Sequence, residues 1–531
     1  MRIENSIKNI YMSLLTQVII TILGFISRKI FLDNLGLDYL GVNGILSSIL
    51  SMMSLVEGGI GSSIVYNLYK PLAENKEEEV IALVQLFKKL YSILALVIFG
   101  LSLLVYPFIG FVMKGNKGVS FIGIIYFIFV FKNMISYLNA HKWALISVDQ
   151  KEYILAKYNL GFYIITTIVK IMVLTITQNY ILYLSIEVGI FIIQNIYNGA
   201  IVNKRYSYIK TKKKYEVDKA TKENLIMNVK AIFLHNIGIW IVFGTDNLLI
   251  GGFIGVVTVG LYSNYTMIIG QLRTLLTPII DSIGASVGNL VATESKDKSF
   301  KIFKIIYLIN FWIYSFTVIF LYNLLEPFIN WWLDRGLLLN KLAFVFILIN
   351  LYITGLRESI LMFKNKAGIF TQDKYMPLVE SIINLGTSLM LIKYFGLAGI
   401  FMGTTISTIV IPFWIQPNLV YKYVFNKSSI EYFKKYVFYI VLTLGVGTLT
   451  TYLCNFIEKG SLLALVIRGS ICVFVVNLTY LIIFFKSEEF QYLLGIVKNI
   501  VGSKIKKNQT VKIKLKSFKL ILKKTKKRKD I

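Results

Sequence analysis

Cysteine is almost missing from this chain. Cys454 and Cys472 are the two in 531 residues, and both lie in apolar stretches. That excludes a disulfide framework and a cysteine-based metal set. Histidine is equally scarce, and His141 and His235 stand too far apart to suggest a motif. Proline numbers seven, and acids number 28 against 57 Lys and Arg. No P-loop, Ser/His/Asp set or metal-ligand cluster can be picked out, so the sequence points to no enzyme chemistry and no cofactor. Val56-Glu57-Gly58-Gly59-Ile60-Gly61 is glycine-rich. It lies inside an apolar stretch with no strand before it, which excludes a phosphate-binding loop.

What is abundant is apolar surface. Hydrophobic residues make up 56% of the chain, aromatics 14%, and the mean hydropathy is +0.66. A soluble core needs no such surplus, whereas a polytopic helical membrane protein does. The pattern predicts an all-α fold of about 14 transmembrane helices, each of about 20 apolar residues. The first six fall near 10–32, 41–68, 90–113, 120–138, 154–175 and 180–202. The next six fall near 231–254, 257–290, 302–332, 342–363, 376–393 and 397–421, and two more close the series near 436–456 and 462–485. The first span has no small-residue cleavage site and is followed at once by others, so it reads as a retained helix.

The net charge of +29 would suggest nucleic acid in a soluble protein. Here its placement argues otherwise. With basic residues at span ends counted in the adjoining loop, Arg28 and Lys29 at the outer end of the first span among them, the N-terminus and even-numbered loops carry 28 of the 57, the odd-numbered loops 8, the tail from Lys486 15, and the spans 6. Cytoplasmic loops retain Lys and Arg, so both termini are expected in the cytoplasm of a bacterial plasma-membrane protein, with no nucleic-acid partner. The tail alternates Val511-Lys512-Ile513-Lys514-Leu515-Lys516 and ends in the basic run 523–529. Such polybasic segments bind anionic lipid headgroups. The odd-numbered loops span no more than about 15 residues, far short of a domain of about 50 residues or more.

The chain reads as two halves joined by a basic linker. Leu35-Gly36-Leu37-Asp38-Tyr39-Leu40-Gly41 follows the first span, and Ile254-Gly255-Val256-Val257-Thr258-Val259-Gly260 follows the seventh. Acidic, glycine-bearing stretches come next, Glu57-Gly58-Gly59-Ile60-Gly61-Ser62 and Asp281-Ser282-Ile283-Gly284-Ala285-Ser286. The expected division is an N-terminal lobe at 1–203, a linker at 204–224, a C-terminal lobe at 225–425, two further helices at 426–486 and a tail at 487–531. Six spans per half would relate the lobes by a pseudo-two-fold axis along the membrane normal. Transporters with parallel repeats place their site between the halves.

Three spans carry polar or small residues at helical spacing. These are Ser13, Gln17, Thr21, Gly24, Arg28; then Asn43, Ser47, Ser51, Ser54, Glu57, Gly61; and Thr266, Gly270, Arg273, Thr277, Asp281, Gly284, Gly288. Close helix packing and a water-filled cavity both explain such stripes. Pro278 inside the third predicts a kink or hinge. Charges within the membrane are costly and mark candidate sites. The candidate cavity residues are Arg28, Glu57, Lys132, Asp246, Arg273 and Asp281. Arg273 either meets an anion or pairs with Asp281 eight positions on. Lys132 and Lys170 either snorkel or hold an anion, and Lys230 reads as snorkelling. Arg357 beside Glu358, and Arg468, read as structural. Glu187 and Glu380 read as charge balance or as ion ligands.

Leu23-Gly24-Phe25-Ile26-Ser27-Arg28, Leu35-Gly36 and Glu57-Gly58-Gly59-Ile60-Gly61 together resemble the N-terminal signature of Wzx-like polysaccharide flippases. These belong to the multidrug/oligosaccharidyl-lipid/polysaccharide exporter superfamily, to which lipid II flippases are related. Thr245-Asp246-Asn247, Gly260-Leu261-Tyr262-Ser263-Asn264-Tyr265 and Gly288-Asn289-Leu290-Val291-Ala292 resemble the second lobe of such sugar translocases. The resemblance covers about residues 1–485. It implies two six-helix lobes around a V-shaped cavity, two extra C-terminal helices, and transfer of an undecaprenyl-diphosphate-linked oligosaccharide between leaflets. It also implies cavity-lining basic residues, a pattern that Arg28 and Arg273 match. The second span departs from it, with Ser51 and Ser54 but no Arg, which counts against lipid II as the substrate.

The expected partners are therefore a polyprenyl-diphosphate-linked glycan, membrane lipids and polysaccharide-assembly proteins. Rival readings are a drug or metabolite exporter on the same fold, a membrane component of a glycan polymerase complex, and a non-transporting scaffold.

Overall fold

The computed structural model describes residues 2–115, 118–333, 336–458, 460–495 and 498. The basic tail from 499 onward, Lys117 and Arg335 lie outside them. Every regular element among the described residues is helical. The helices are α1 (Arg2–Ser54), α2 (Ile60–Ala73), α3 (Glu77–Val105), α4 (Ile122–Leu138), α5 (Ala140–Val148), α6 (Tyr153–Thr177) and α7 (Tyr180–Arg205). The linker leads to α8 (Lys219–Gly244), the short α9 (Asp246–Leu249), α10 (Val256–Thr293), α11 (Lys296–Leu333) and α12 (Lys341–Lys366). The chain continues through α13 (Met376–Phe395), α14 (Leu397–Val410), α15 (Pro412–Val420), α16 (Ile430–Asn455) and α17 (Leu462–Phe484).

Ten described helices are long and apolar enough to cross a membrane, or up to twelve if each of two bent pairs forms one span. The chain is thus an all-helical, multi-pass membrane protein. The first candidate runs 43 residues, Leu15–Glu57. At 1.5 Å per residue that is about 65 Å, roughly twice a hydrocarbon core of about 30 Å. Gly36 resolves the excess. Its φ of 80° and ψ of −172° break α1 into two arms. That region of backbone space is essentially restricted to glycine.

Contacts divide the chain into two compact units. The first comprises 1–281, 325–350 and 371–415; the second comprises 282–324, 351–370 and the chain from 416. In the first unit, α13 and α14 form a tight hairpin turned at Gly396, where φ is 54°. A Cβ on Gly403 would sit 2.1 Å from Ser388 Oγ, so only glycine permits the approach. In the second unit, Phe311 stacks on Tyr439 with centroids 4.0 Å apart. The buried Ser315 shares hydrogen bonds with Thr443 and Tyr480. Such pairing keeps buried hydroxyls from incurring a desolvation cost of about 1–3 kcal/mol each.

The intramembrane Arg468 sits in this second unit. It is 3% exposed and donates to the carbonyls of Asn323, within α11, and of Ile457, just past the end of α16. Cys454 and Cys472 are buried and free, with their sulfurs 3.9 Å apart.

Candidate functional site

The polar stripe of the first arm of α1 lies antiparallel to α10. Gln17 Nε2 donates to Gln271 Oε1 at 2.5 Å, and Thr21 Oγ1 donates to the same oxygen at 2.8 Å. Gly24 faces Met267. Arg28 Nη1 then donates to Ser263 Oγ at 2.9 Å and to Asn264 Oδ1 at 3.3 Å. Among the described residues these two neutral side chains are the hydrogen-bond acceptors of Arg28. Both bonds leave from Nη1, so these partners do not use Nη2 and Nε, the edge of the guanidinium fork that fits two oxygens of a phosphate.

Residues of α10 that meet the first arm of α1 are therefore Ser263, Asn264, Met267 and Gln271. The stripe expected from sequence, through Thr266, Gly270 and Arg273, lies on a neighbouring face. Thr266 and Arg273 are exposed, and a Cβ on Gly270 would meet nothing within 4 Å. Arg273 thus belongs to an open face of α10. The side chains of Asp281 and Pro278 lie outside the described ones, as do those of Lys230 and His235.

Beyond Gly36 the two halves meet reciprocally. An offset of 219 positions carries Gly36, Leu37 and Gly41 onto Gly255, Val256 and Gly260. Gly36 and Gly255 both have positive φ, 80° and 147°. A Cβ on Gly41 would lie 2.0 Å from the Val256 carbonyl oxygen, and one on Gly260 would lie 2.5 Å from that of Leu37. The same offset carries Arg28 onto Asn247, and Gly44 onto Ser263. Arg28 donates to Ser263, and Asn247 Nδ2 donates to the Gly44 carbonyl at 3.5 Å and to Ser48 Oγ at 3.0 Å. The sequence repeat is thus expressed as a two-fold set of contacts, with an Arg on one side and an Asn on the other.

Glu57 closes the second polar stripe. It accepts a hydrogen bond from Tyr91, while Ser54 accepts from Tyr137 at 3.1 Å. The expected continuous span breaks here. Gly58 and Gly59 are both left-handed, with φ of 54° and 78°, and separate a short 3₁₀ turn from α2. Ser51, on the exposed face, accepts from Trp240 Nε1 at 3.2 Å. Asp246 opens the short α9 after α8 ends at Gly244, and Tyr262 donates to it at 3.4 Å.

Lys132 and Lys170, for which snorkelling and an anion were both open, meet one carboxylate. Both ammonium groups bind Glu187, one on each carboxylate oxygen. The cluster joins α4, α6 and α7 and lines two cavities of about 440 and 230 Å³. The larger is walled by polar groups, among them Ser27, Asn159, Thr166 and Gln194. Glu57 and Asp246 thus have their own local partners, whereas Tyr183 lies between the Lys170 end of the cluster and Arg28.

Among solved structures, the chain is similar to the lipid II flippase MurJ in its inward closed conformation. The TM-score is 0.61 at 14% identity, covering 91% of this chain and 99% of that one. The fold is that of MurJ. It is also similar to an inward-facing multidrug resistance MATE family transporter of the MOP superfamily, with a TM-score of 0.54 at 13% identity over 75% of this chain and 96% of that one. The MATE multidrug transporter DinF-BH gives 0.52 at 14% identity over 79% and 96%. No protein-family model and no curated protein matches the sequence. At these identities the likeness concerns the MurJ and MATE fold.

Proposed function

We propose that the protein is a flippase of the bacterial plasma membrane. It moves an undecaprenyl-diphosphate-linked oligosaccharide from the cytoplasmic to the outer leaflet for cell-surface polysaccharide assembly, by alternating access of a cationic cavity. Both termini are cytoplasmic. The observation that carries this reading is Arg28, an arginine near the outer end of the first span expected from sequence, whose described hydrogen-bond acceptors are neutral. A carboxylate partner would neutralise it; two neutral acceptors leave the charge available to an anion. The diphosphate is the part of the substrate that crosses hydrocarbon at greatest cost, and a planar, permanently charged fork suits it. Arg273 on the exposed face of α10 adds a second cation. The near full-length likeness to a lipid II flippase supports lipid-linked cargo. An exporter of cationic drugs fits less well, since the described ion cluster in the first unit holds two lysines against one glutamate.

The test is transfer of a labelled polyprenyl-diphosphate oligosaccharide across proteoliposomes. Arg28→Ala should lose at least about tenfold, the scale of one charge-assisted hydrogen bond, with folded protein retained. Wild-type vesicles that transfer a cationic dye but no glycolipid would overturn the reading.

A further inference from the structure

Two lysines on one carboxylate are more than a structural pair requires. A single Lys–Glu pair is neutral, whereas the second lysine leaves a net positive charge in the membrane, which costs several kcal/mol unless an anion or water meets it. The members are also not equivalent. The Lys132 side chain is 39% exposed, against 16% for Lys170 and 21% for Glu187. Both nitrogens also lie over aromatic rings, Lys170 at 4.1 Å from the Tyr183 centroid and Lys132 farther off, at 5.9 Å from that of Phe191. Lys132 is the loosely held outer cation.

An apolar groove of about 860 Å³ runs between α4 and α7. Phe121, Ile124 and Phe131 line it and are 68%, 50% and 52% exposed. Ile128 and Val188 border both this groove and the smaller of the two lysine-lined cavities. A ligand with a charged head on Lys132 thus has an adjoining apolar channel for its chain.

We propose that Lys132, Lys170 and Glu187 form an exchangeable ion cluster. A phosphoryl group of a polyprenyl diphosphate replaces the Glu187 carboxylate on Lys132 while its chain enters the α4/α7 groove. Glu187 stays with Lys170, so the site holds one net positive charge when empty and meets the incoming anion with it. The carboxylate acts as a resident competitor that limits affinity and permits release. The choice of a polyprenyl diphosphate over other anionic lipids rests on the function proposed above; the cluster and groove do not.

The test measures binding of farnesyl diphosphate to the full chain in nanodiscs of neutral lipid, with inorganic diphosphate and farnesol as partial probes. Glu187→Gln removes the competitor and should tighten farnesyl diphosphate binding about tenfold, while Lys132→Met should weaken it about tenfold. Gly189→Leu provides a second route if the cluster variants fail to fold. A Cβ at Gly189 meets nothing within 4 Å, so a leucine there fits while filling the groove. It should weaken farnesyl diphosphate at least tenfold and leave inorganic diphosphate unchanged.

Unchanged or weaker binding in folded Glu187→Gln would overturn the exchange. Equal affinity for inorganic and farnesyl diphosphate would overturn the groove. Displacement of the probe by an equal concentration of phosphatidylglycerol would reassign the groove to a structural lipid. If wild type transfers no glycolipid yet Glu187→Gln tightens binding, the site stands and the flippase reading falls. If transfer occurs and neither Lys132→Met nor Gly189→Leu alters binding, the reverse holds.

Discussion

The stretch 35–62 in the first half and its counterpart 254–286 in the second begin alike and end differently. Each opens with a glycine at positive φ and, five positions on, a glycine pressed against the other's backbone. Each is preceded by a side chain, Arg28 or Asn247, that reaches across to the partner. Then they diverge. The first half breaks at Gly58 and Gly59, whereas α10, Val256–Thr293, runs unbroken through its own acidic, glycine-bearing stretch at 281–286. Duplicated geometry therefore persists where backbones touch, and is relaxed where each half faces its own surroundings. Only one of the equivalent reaching residues carries charge, so the matched contacts are asymmetric in charge.

The largest effect is expected at the backbone seam. Gly41→Leu and Gly260→Leu should each abolish folded protein, since even a Cβ would enter a carbonyl oxygen. The alanine variants should lower stability by about 1–3 kcal/mol each, as overpacking does. Thermal unfolding in detergent reads this, and clearly unequal losses at the two sites would break the two-fold comparison. Next is the charge. Arg28→Asn gives the first half the residue of the second. Transfer should fall about 10–100-fold, the scale of charge-assisted bonds of about 1.5–3 kcal/mol, with a far smaller change in melting temperature. Transfer at the wild-type rate would show that the asymmetry of charge has no role.

The breaks provide a finer contrast. Gly58→Ala should cost about 1–2 kcal/mol through its left-handed φ. Gly284→Ala should be neutral or stabilise by up to about 1 kcal/mol, because Gly284 is helical and its Cβ would find an ordinary contact at 3.5 Å. Equal losses would mean that α10 also needs glycine freedom there. The smallest loss is expected for Tyr91→Phe, which leaves Glu57 without its described donor. It should cost about 1 kcal/mol in unfolding free energy, in line with one net hydrogen bond. A cost of several times that would assign Glu57 a larger share of the first-half break.

Much of this frame was legible in the sequence. Length and apolarity located the helices, because a bilayer demands them. The paired Leu-Gly and Ile-Gly motifs marked the repeat, but not that their glycines press on one another's backbone, because a repeat does not say where its copies touch. The break at Gly58 was hidden, since apolar content does not report φ and the span reads as continuous. For α10 the sequence left packing and a cavity both open for the stripe through Thr266 and Arg273, and it did not mark the adjoining face, where Gln271 bridges to Gln17 and Thr21, because a stripe of mixed polarity does not say which of two neighbouring faces is covered. Lys132, Lys170 and Glu187 were each visible as intramembrane charges. Their assembly was not, because it draws one residue from each of three helices and no spacing encodes that.

The seam has a thermal consequence. Gly41 and Gly260 meet the opposing chain without side chains of their own, touching the carbonyls of Val256 and Leu37. Closing such a contact freezes no rotamer on the glycines, so parting it returns little conformational entropy. The gain on contact is dispersion and weak Cα–H···O attraction, which is largely enthalpic. A seam of this kind loosens only gradually on warming, unlike one built from long side chains whose release is driven by regained disorder. The backbone contact between the halves is therefore suited to a membrane whose temperature varies.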